Sequence, residues 1–214
     1  MRLGIIGAGD LGIQLAHLAR KTGKYEPAVF FDDTLAPGTI VSGIPVRGGL
    51  DAIGSANGSP PFDELIVAIG YRHLAFRQQV FARLQGRFRF ATLVDPSAIV
   101  DATCTLGEGA VVYPGCVLDM NVHVDGNALL NAGCVVAHDS VVGAGCFLSP
   151  AVKLAGFVTL EPSVVLGIGT IVIDNIRISS GVRTAAGAVV IDNLDVPGLY
   201  VGIPARFKKA IPPS

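Results

Sequence analysis

The chain has 214 residues, 50% of them hydrophobic and 15% charged, with a formal net charge of −1. No basic run extends beyond Arg206–Lys209, so nucleic acid is not expected as a partner. No stretch approaches the roughly 18 consecutive apolar residues of a membrane span, which leaves a soluble, cytoplasmic protein with no membrane partner as the expectation. So low a charge content leaves a monomer short of polar cover and points to an oligomer.

Leu3–Ile6 reads as an apolar strand, followed by the glycine loop GAGDLG (Gly7–Gly12) and a helix over Ile13–Lys21. Ala28–Phe31 is a second strand, ending at Asp32 and Asp33. Glycines and prolines from Pro37 to Pro61 mark a loop-rich connection with a short strand pair near Val41–Arg47. Leu65–Ile69 is a third strand closed by Gly70, Arg72–Gln85 has helical spacing, and Phe88–Leu93 returns to the sheet. Strands alternating with helices predict a small α/β, Rossmann-like domain over residues 1–94, with His17 and His73 on the surface of its helices.

The glycines of this loop follow a strand, and an acidic residue, Asp32, lies about 20 positions on, as in a dinucleotide fingerprint. A dinucleotide needs two mononucleotide-binding halves, and this segment has length for little more than one. A site for one nucleotide or nucleotide sugar fits that length; a purely structural turn and an NAD site stay open beside it.

Beyond Asp95–Pro96 the pattern changes. Stepping by sixes from Val100 to Val190, fifteen of sixteen positions are aliphatic, Thr184 being the exception. Two residues before each stands a small or β-branched residue, from Ala98 and Cys104 to Val182 and Ala188. Residues two apart in a strand share a face, so each hexad buries one small and one larger side chain. Three residues after the aliphatic position the chain usually has Gly, Asn or Ser, which tolerate the positive φ of a corner. Residues 95–214 are therefore predicted to form an all-β parallel β-helix of hexapeptide repeats.

Four cysteines, Cys104, Cys116, Cys134 and Cys146, all fall on the small inward position, as compact hydrophobes and not as a metal site. His138 and Asp139 interrupt the hexads at a corner. An imidazole beside a carboxylate is the minimum for general-base catalysis, since the unperturbed ring titrates near ~6.5. An ordinary surface histidine is the competing reading. His123 has no acidic residue beside it in the exposed register and reads as structural or solvated. A zinc carbonic anhydrase of this fold needs three histidines, and the coil has two.

GAGDLG, Phe30–Asp33, Ala68–Gly70, the run Leu130–Gly143 and the tail Val201–Arg206 together resemble the sugar-nucleotide acetyltransferases of the left-handed β-helix superfamily, in the branch with a small Rossmann-like N-terminal domain. The resemblance implies a left-handed coil, a homotrimer with active sites in intersubunit grooves, and acetyl-CoA as co-substrate, with no metal. It implies as acceptor a nucleotide-linked 4-amino-4,6-dideoxy sugar, with His138 as base, Asp139 orienting it and Asn131 near the reacting groups. By the same likeness Gly156 lies near the thioester carbonyl, and Ile168 and Ala186 meet the pantetheine arm. Gly9, Asp32, Asp33 and Gly70 match the pocket for the nucleotide end of the sugar substrate. The terminal Arg206, Lys208 and Lys209 face two readings, contact with the CoA phosphates or simple solvation. The chain departs from the family at Leu11, where a His is common, at Phe147, where many members have a second His, and at Phe157, where a small residue is usual. O-acetylation of sialic acid or a related sugar, and a non-catalytic nucleotide-binding role, stay open as alternatives.

Overall fold

The computed structural model of the protein describes residues 1–54 and 60–211. Positions 55–59 of the predicted Pro37–Pro61 loop lie outside them. The chain divides into two compact units, Met1–Leu93 and Val94–Ser214.

The N-terminal unit is built on a five-stranded sheet of β1 (Arg2–Ile6), β2 (Glu26–Phe31), β3 (Ile40–Val41), β4 (Ile44–Gly48) and β5 (Glu64–Val67), in the order β3-β4-β2-β1-β5. All pairings are parallel except the β3–β4 hairpin. Helix α1 (Asp10–Lys21) follows β1, and α2 (Leu74–Leu84) follows β5 after a 3-10 turn at Tyr71–His73. Leu3, Gly4, Ile5 and Ile6 are all buried, because a central parallel strand is covered on both faces and its apolar run need not alternate. On one side Ile6, Phe31, Val67, Val80 and Phe81 share a core in which Phe31 and Phe62 meet edge to face at 5.7 Å.

The predicted return of Phe88–Leu93 to this sheet shrinks to a single bridge between Phe90 and Leu65. Leu65 uses both backbone groups there, its N–H on the Arg89 carbonyl and its carbonyl on the Ala91 N–H. Leu93–Val94 pairs instead with Val111–Val112, as the first strand of the coil's third sheet.

The second unit is a left-handed parallel β-helix of three sheets. Its first face stacks Ile99–Val100, Val117–Leu118, Val135–Val136, Lys153–Leu154, Ile171–Val172 and Val189–Val190. The second runs from Thr105–Leu106 through His123–Val124, Val141–Val142 and Thr159–Leu160 to Arg177–Ile178. The third runs from Leu93–Val94 to Val182–Thr184 and Gly198–Val201. Val100 pairs with Leu118, and Leu118 with Val136, so each turn takes eighteen residues with no insertion. The inward positions are buried from Ala110 to Val190.

The polar exceptions inside are satisfied. Thr184 accepts a hydrogen bond from the Gly167 N–H and shares one with the Thr170 hydroxyl at 2.7 Å. Ser140 donates to the Ala155 carbonyl, and Cys104, Cys116, Cys134 and Cys146 each donate to the carbonyl of the residue fifteen further on. The last strand, Arg206–Lys209, reverses direction and pairs antiparallel with Gly198–Val201, so an exposed cationic strand closes the third sheet.

Candidate active site

At the corner between the first and second faces, one column of the coil holds Met120, His138 and Gly156, and the next holds Asn121, Asp139, Phe157 and Asn175, each one turn above the last. Leaving the Val135–Val136 strand, the chain must turn while Ser140 fills the inward position. Asp139 takes the left-handed conformation, φ 57°, that the corner requires. Its carboxylate comes back to the preceding side chain, and the His138 Nδ1–H donates to Asp139 Oδ2 at 2.9 Å. The other oxygen, Oδ1, accepts from the Asn121 amide at 3.0 Å, one turn below.

The bond from His138 first, and that from Asn121 second, hold the Asp139 carboxyl below the usual carboxylate range, so it is ionised at neutral pH. With Nδ1 committed to an anion, Nε2 is the nitrogen left to accept a proton. The imidazole is 44% exposed, open to a substrate while anchored at one end.

Gly156 explains where the ring lies. A Cβ at that position would stand 2.7 Å from His138 Cε1 and 2.9 Å from Nε2, so only glycine leaves room for the imidazole. The next residue, Phe157, sets its ring perpendicular to His138 with centroids 5.2 Å apart, and its N–H donates to the His138 carbonyl at 3.1 Å.

Other site residues named from the sequence stand elsewhere in the second unit. Asn131, Ile168 and Ala186 belong to the corner between the third and first faces, where the Gly187 N–H bonds the Ile168 carbonyl at 2.8 Å. The Asn131 amide donates to the Leu148 carbonyl at 3.0 Å, not to His138. Arg206 pairs with Asp192 at 2.9 Å, Lys208 extends exposed from the closing strand, and Phe147 sits nearly buried on the third face.

His123 is a correction. Its Nε2 meets Asp125 Oδ1 at 2.8 Å, and its Nδ1 meets the Thr105 hydroxyl. The signal was present in the sequence: residues two apart in an extended strand point the same way, so the acidic neighbour is two positions on.

The N-terminal unit holds a cleft of ≈ 320 Å³ at the C-terminal ends of β1, β2 and β5, where open parallel sheets take their ligands. Gly7, Asp32, Asp33 and Ile69 line it. Gly9 caps the N-terminus of α1 and Gly70 that of the 3-10 turn, and a Cβ at either would meet nothing within 4 Å, which leaves the backbone accessible. Gly12 is close-packed instead, because a Cβ there would fall 2.1 Å from the Gly7 carbonyl oxygen.

The two aspartates differ. Asp32 accepts from the Ala8 N–H at 2.8 Å and from the Thr34 N–H and hydroxyl at 2.9 and 2.6 Å. Burial pulls its carboxyl upward, but these bonds, with one from the Leu35 N–H, outweigh it and hold the group below its usual range. Asp33 uses Oδ1 on the Leu50 N–H at 2.8 Å. His73 and Phe76 also line the cleft, which sequence reasoning missed; their place depends on the turn after Gly70, not on any spacing.

Among the described residues no three His, Cys, Asp or Glu side chains are grouped to hold a metal, and no helix is long and apolar enough to cross a membrane.

Residues 2–84 match the family described as the PglD N-terminal domain. Over nearly the whole chain the protein is similar to PerB from Caulobacter crescentus, solved with CoA and GDP-perosamine, at 31% identity over 98% of each chain and a TM-score of 0.86. It is equally similar in shape to the acetyltransferase domain of PglB from Neisseria gonorrhoeae, at 29% identity over 96% of this chain and 98% of that one, TM-score 0.86. A curated relative, the 2,3,4,5-tetrahydropyridine-2,6-dicarboxylate N-acetyltransferase of Enterococcus faecalis, is 35% identical over 54 residues, 25% of this chain and only 23% of that protein. A coil carrying a His–Asp corner, preceded by this N-terminal fold and matched end to end by such structures, places the chain in the sugar-nucleotide N-acetyltransferases of the left-handed β-helix superfamily, the branch with a Rossmann-like N-terminal domain.

Proposed function

We propose that the protein transfers the acetyl group of acetyl-CoA to the amino group of a nucleotide-linked 4-amino-4,6-dideoxy sugar, with His138 as general base. The observation that carries this reading is the His138–Asp139 bond at 2.9 Å, which leaves Nε2 free against the backbone of Gly156. The relative solved with CoA and GDP-perosamine supports both the donor and the acceptor class.

The sugar amine attacks as the free base. As its nitrogen bonds to the thioester carbon, Nε2 takes the surplus proton, and Asp139 stabilises the resulting imidazolium. The carbonyl oxygen gathers negative charge and is met by the Gly156 N–H; one such donor is typically worth about 2.7–4 kcal/mol. The C–S bond then breaks, and the imidazolium returns the proton to the departing CoA sulfur. Transfer is direct: Cys146 is fully buried, burial pushes its thiol up to about 12, and the thiols of Cys104, Cys116 and Cys134 are turned inward onto backbone carbonyls.

The nucleotide end of the acceptor is assigned to the N-terminal cleft, with Gly9 and Gly70 giving open backbone and Asp33 a carboxylate oxygen. Asp32, already holding four protein donors, shapes the loop. The CoA arm is assigned to Ile168 and Ala186 and its phosphates to Arg206 and Lys208, the first of which must release Asp192 to serve.

The reading includes a homotrimer, which the positions of these residues support. The first face separates the His138 corner from the Ile168 corner; it carries exposed Ile99 at 66% and Ile171 at 43%, and Ile168 at its edge is 58% exposed. Closing a ring of three copies through that face sets the Ile168 corner of one copy beside the His138 corner of the next.

The test is release of free CoA thiol from acetyl-CoA with 4-amino-4,6-dideoxy sugars on GDP, UDP and dTDP. His138→Ala is expected to lower turnover by about 10²–10⁴-fold with an unchanged circular dichroism spectrum; near-normal turnover removes the base assignment. Turnover with sialic acid but no amino sugar selects O-acetylation instead.

A further inference from the structure

Every corner of the coil from Gly109 to Gly187 carries one residue at positive φ, and almost all are Gly, Asn, Asp or Ser. Phe157 is the exception by size, a phenylalanine held at φ 59°, a conformation that bulky residues adopt only at a cost in free energy. Its ring does not repay that cost by burial within its own chain, where it is 53% exposed. What it does touch is His138, edge to face. Directly below it in the same column stands Asp139, and directly above stands Asn175 at φ 60°, the residue type that this corner tolerates. An exposed aromatic ring kept in a strained corner beside the base has a role at the reaction centre, not in the core.

The covalent geometry of the acceptor says which part of it meets that ring. If the amine on C4 is the group delivered to Nε2, the neighbouring ring carbon C5 carries C6, so the substituent at C6 lies beside the imidazole as well. The apolar ring in contact with the imidazole is the phenyl of Phe157. We propose that Phe157 is a specificity-determining residue of the acceptor site: its ring packs on the C6 methyl and selects 6-deoxy amino sugars over their 6-hydroxy counterparts, whose hydroxyl would lose water against an apolar surface. This rests on the acceptor reading above.

The experiment compares kcat/KM for matched 4-amino sugars, 6-deoxy and 6-hydroxy, on the same nucleotide, in the wild type, Phe157→Asn and Phe157→Tyr. The wild type is expected to prefer the 6-deoxy sugar by about tenfold or more, the usual effect of one small group in an apolar pocket. In F157N that preference falls to near unity, and in F157Y, which keeps the ring face, it is retained. F157N is expected to melt no lower than the wild type, because Asn suits the corner. Equal use of both sugars by the wild type, an undiminished preference in F157N, or a lower melting temperature in F157N overturns the inference while leaving the transferase reading intact. A wild type that acetylates neither sugar on any carrier overturns both.

Discussion

At the scale of single residues, the site depends on what is missing. Gly156 is not at positive φ, so an alanine there meets no backbone penalty; the Cβ collides only with His138, at 2.7 and 2.9 Å. Gly156→Ala is therefore expected to fold and melt like the wild type while losing about 10²-fold in kcat, the scale of a displacement near 1 Å. A G156A enzyme with normal kcat would place the working imidazole elsewhere. The adjacency of His138 and Asp139 was legible in the sequence because neighbours at a tight corner can turn toward each other. The Asn121 amide that fixes the second carboxylate oxygen was not, since it arrives from a full turn away. The Asp125 partner of His123 was legible in principle and overlooked, because a search for an immediate neighbour passes over the residue that shares its face.

At the scale of elements, the coil is the most readable part of the chain. Its period repeats the same physical demand, one small and one large inward side chain per strand, so each hexad confirms the register of the last. The N-terminal unit is less readable because its cleft is made by loop ends: Asp32 and Asp33 look alike in sequence, yet one braces the glycine loop and the other holds the turn at Leu50. Asp32's folded pKa is depressed below its ordinary value. The sign follows from that: its bonds stabilise the unit above the ordinary carboxylate range, and the contribution is lost as pH falls through the lower folded value. Asp32→Asn is expected to cost about 1–2 kcal/mol at pH 7, a figure discounted for partial exposure. Thermal melts of the two proteins should converge below the carboxylate range; a gap of constant size down to strong acid would show that charge is not what the clamp uses.

At the scale of the whole molecule, the low charge content noted in the composition has a location. The first face points Ile99, Val117, Val135, Ile171 and Val189 outward, with Lys153 the single charge among them. Ile171→Glu puts an acidic group on that face, one turn above Lys153, without touching the inward core, since Ile171 points outward at 43% exposure. Light scattering is expected to give three times the 22.1 kDa chain mass for the wild type and a single chain mass for I171E, with β-structure retained and acetyl transfer lost along with assembly. A wild type of one chain mass, or an I171E monomer with full activity, would remove the shared-groove arrangement.

The reversal of Arg206–Lys209 against Gly198–Val201 has a consequence for solubility. A stack of identical parallel rungs is chemically a short piece of cross-β fibre, and a blunt end invites another stack to continue it. Turning the final strand back presents the opposite polarity to any newcomer, and Arg206, Lys208 and Lys209 add like-charge repulsion at that edge. Among the described residues, the third sheet thus ends in a reversed, cationic strand, an edge poorly suited to pairing with another stack.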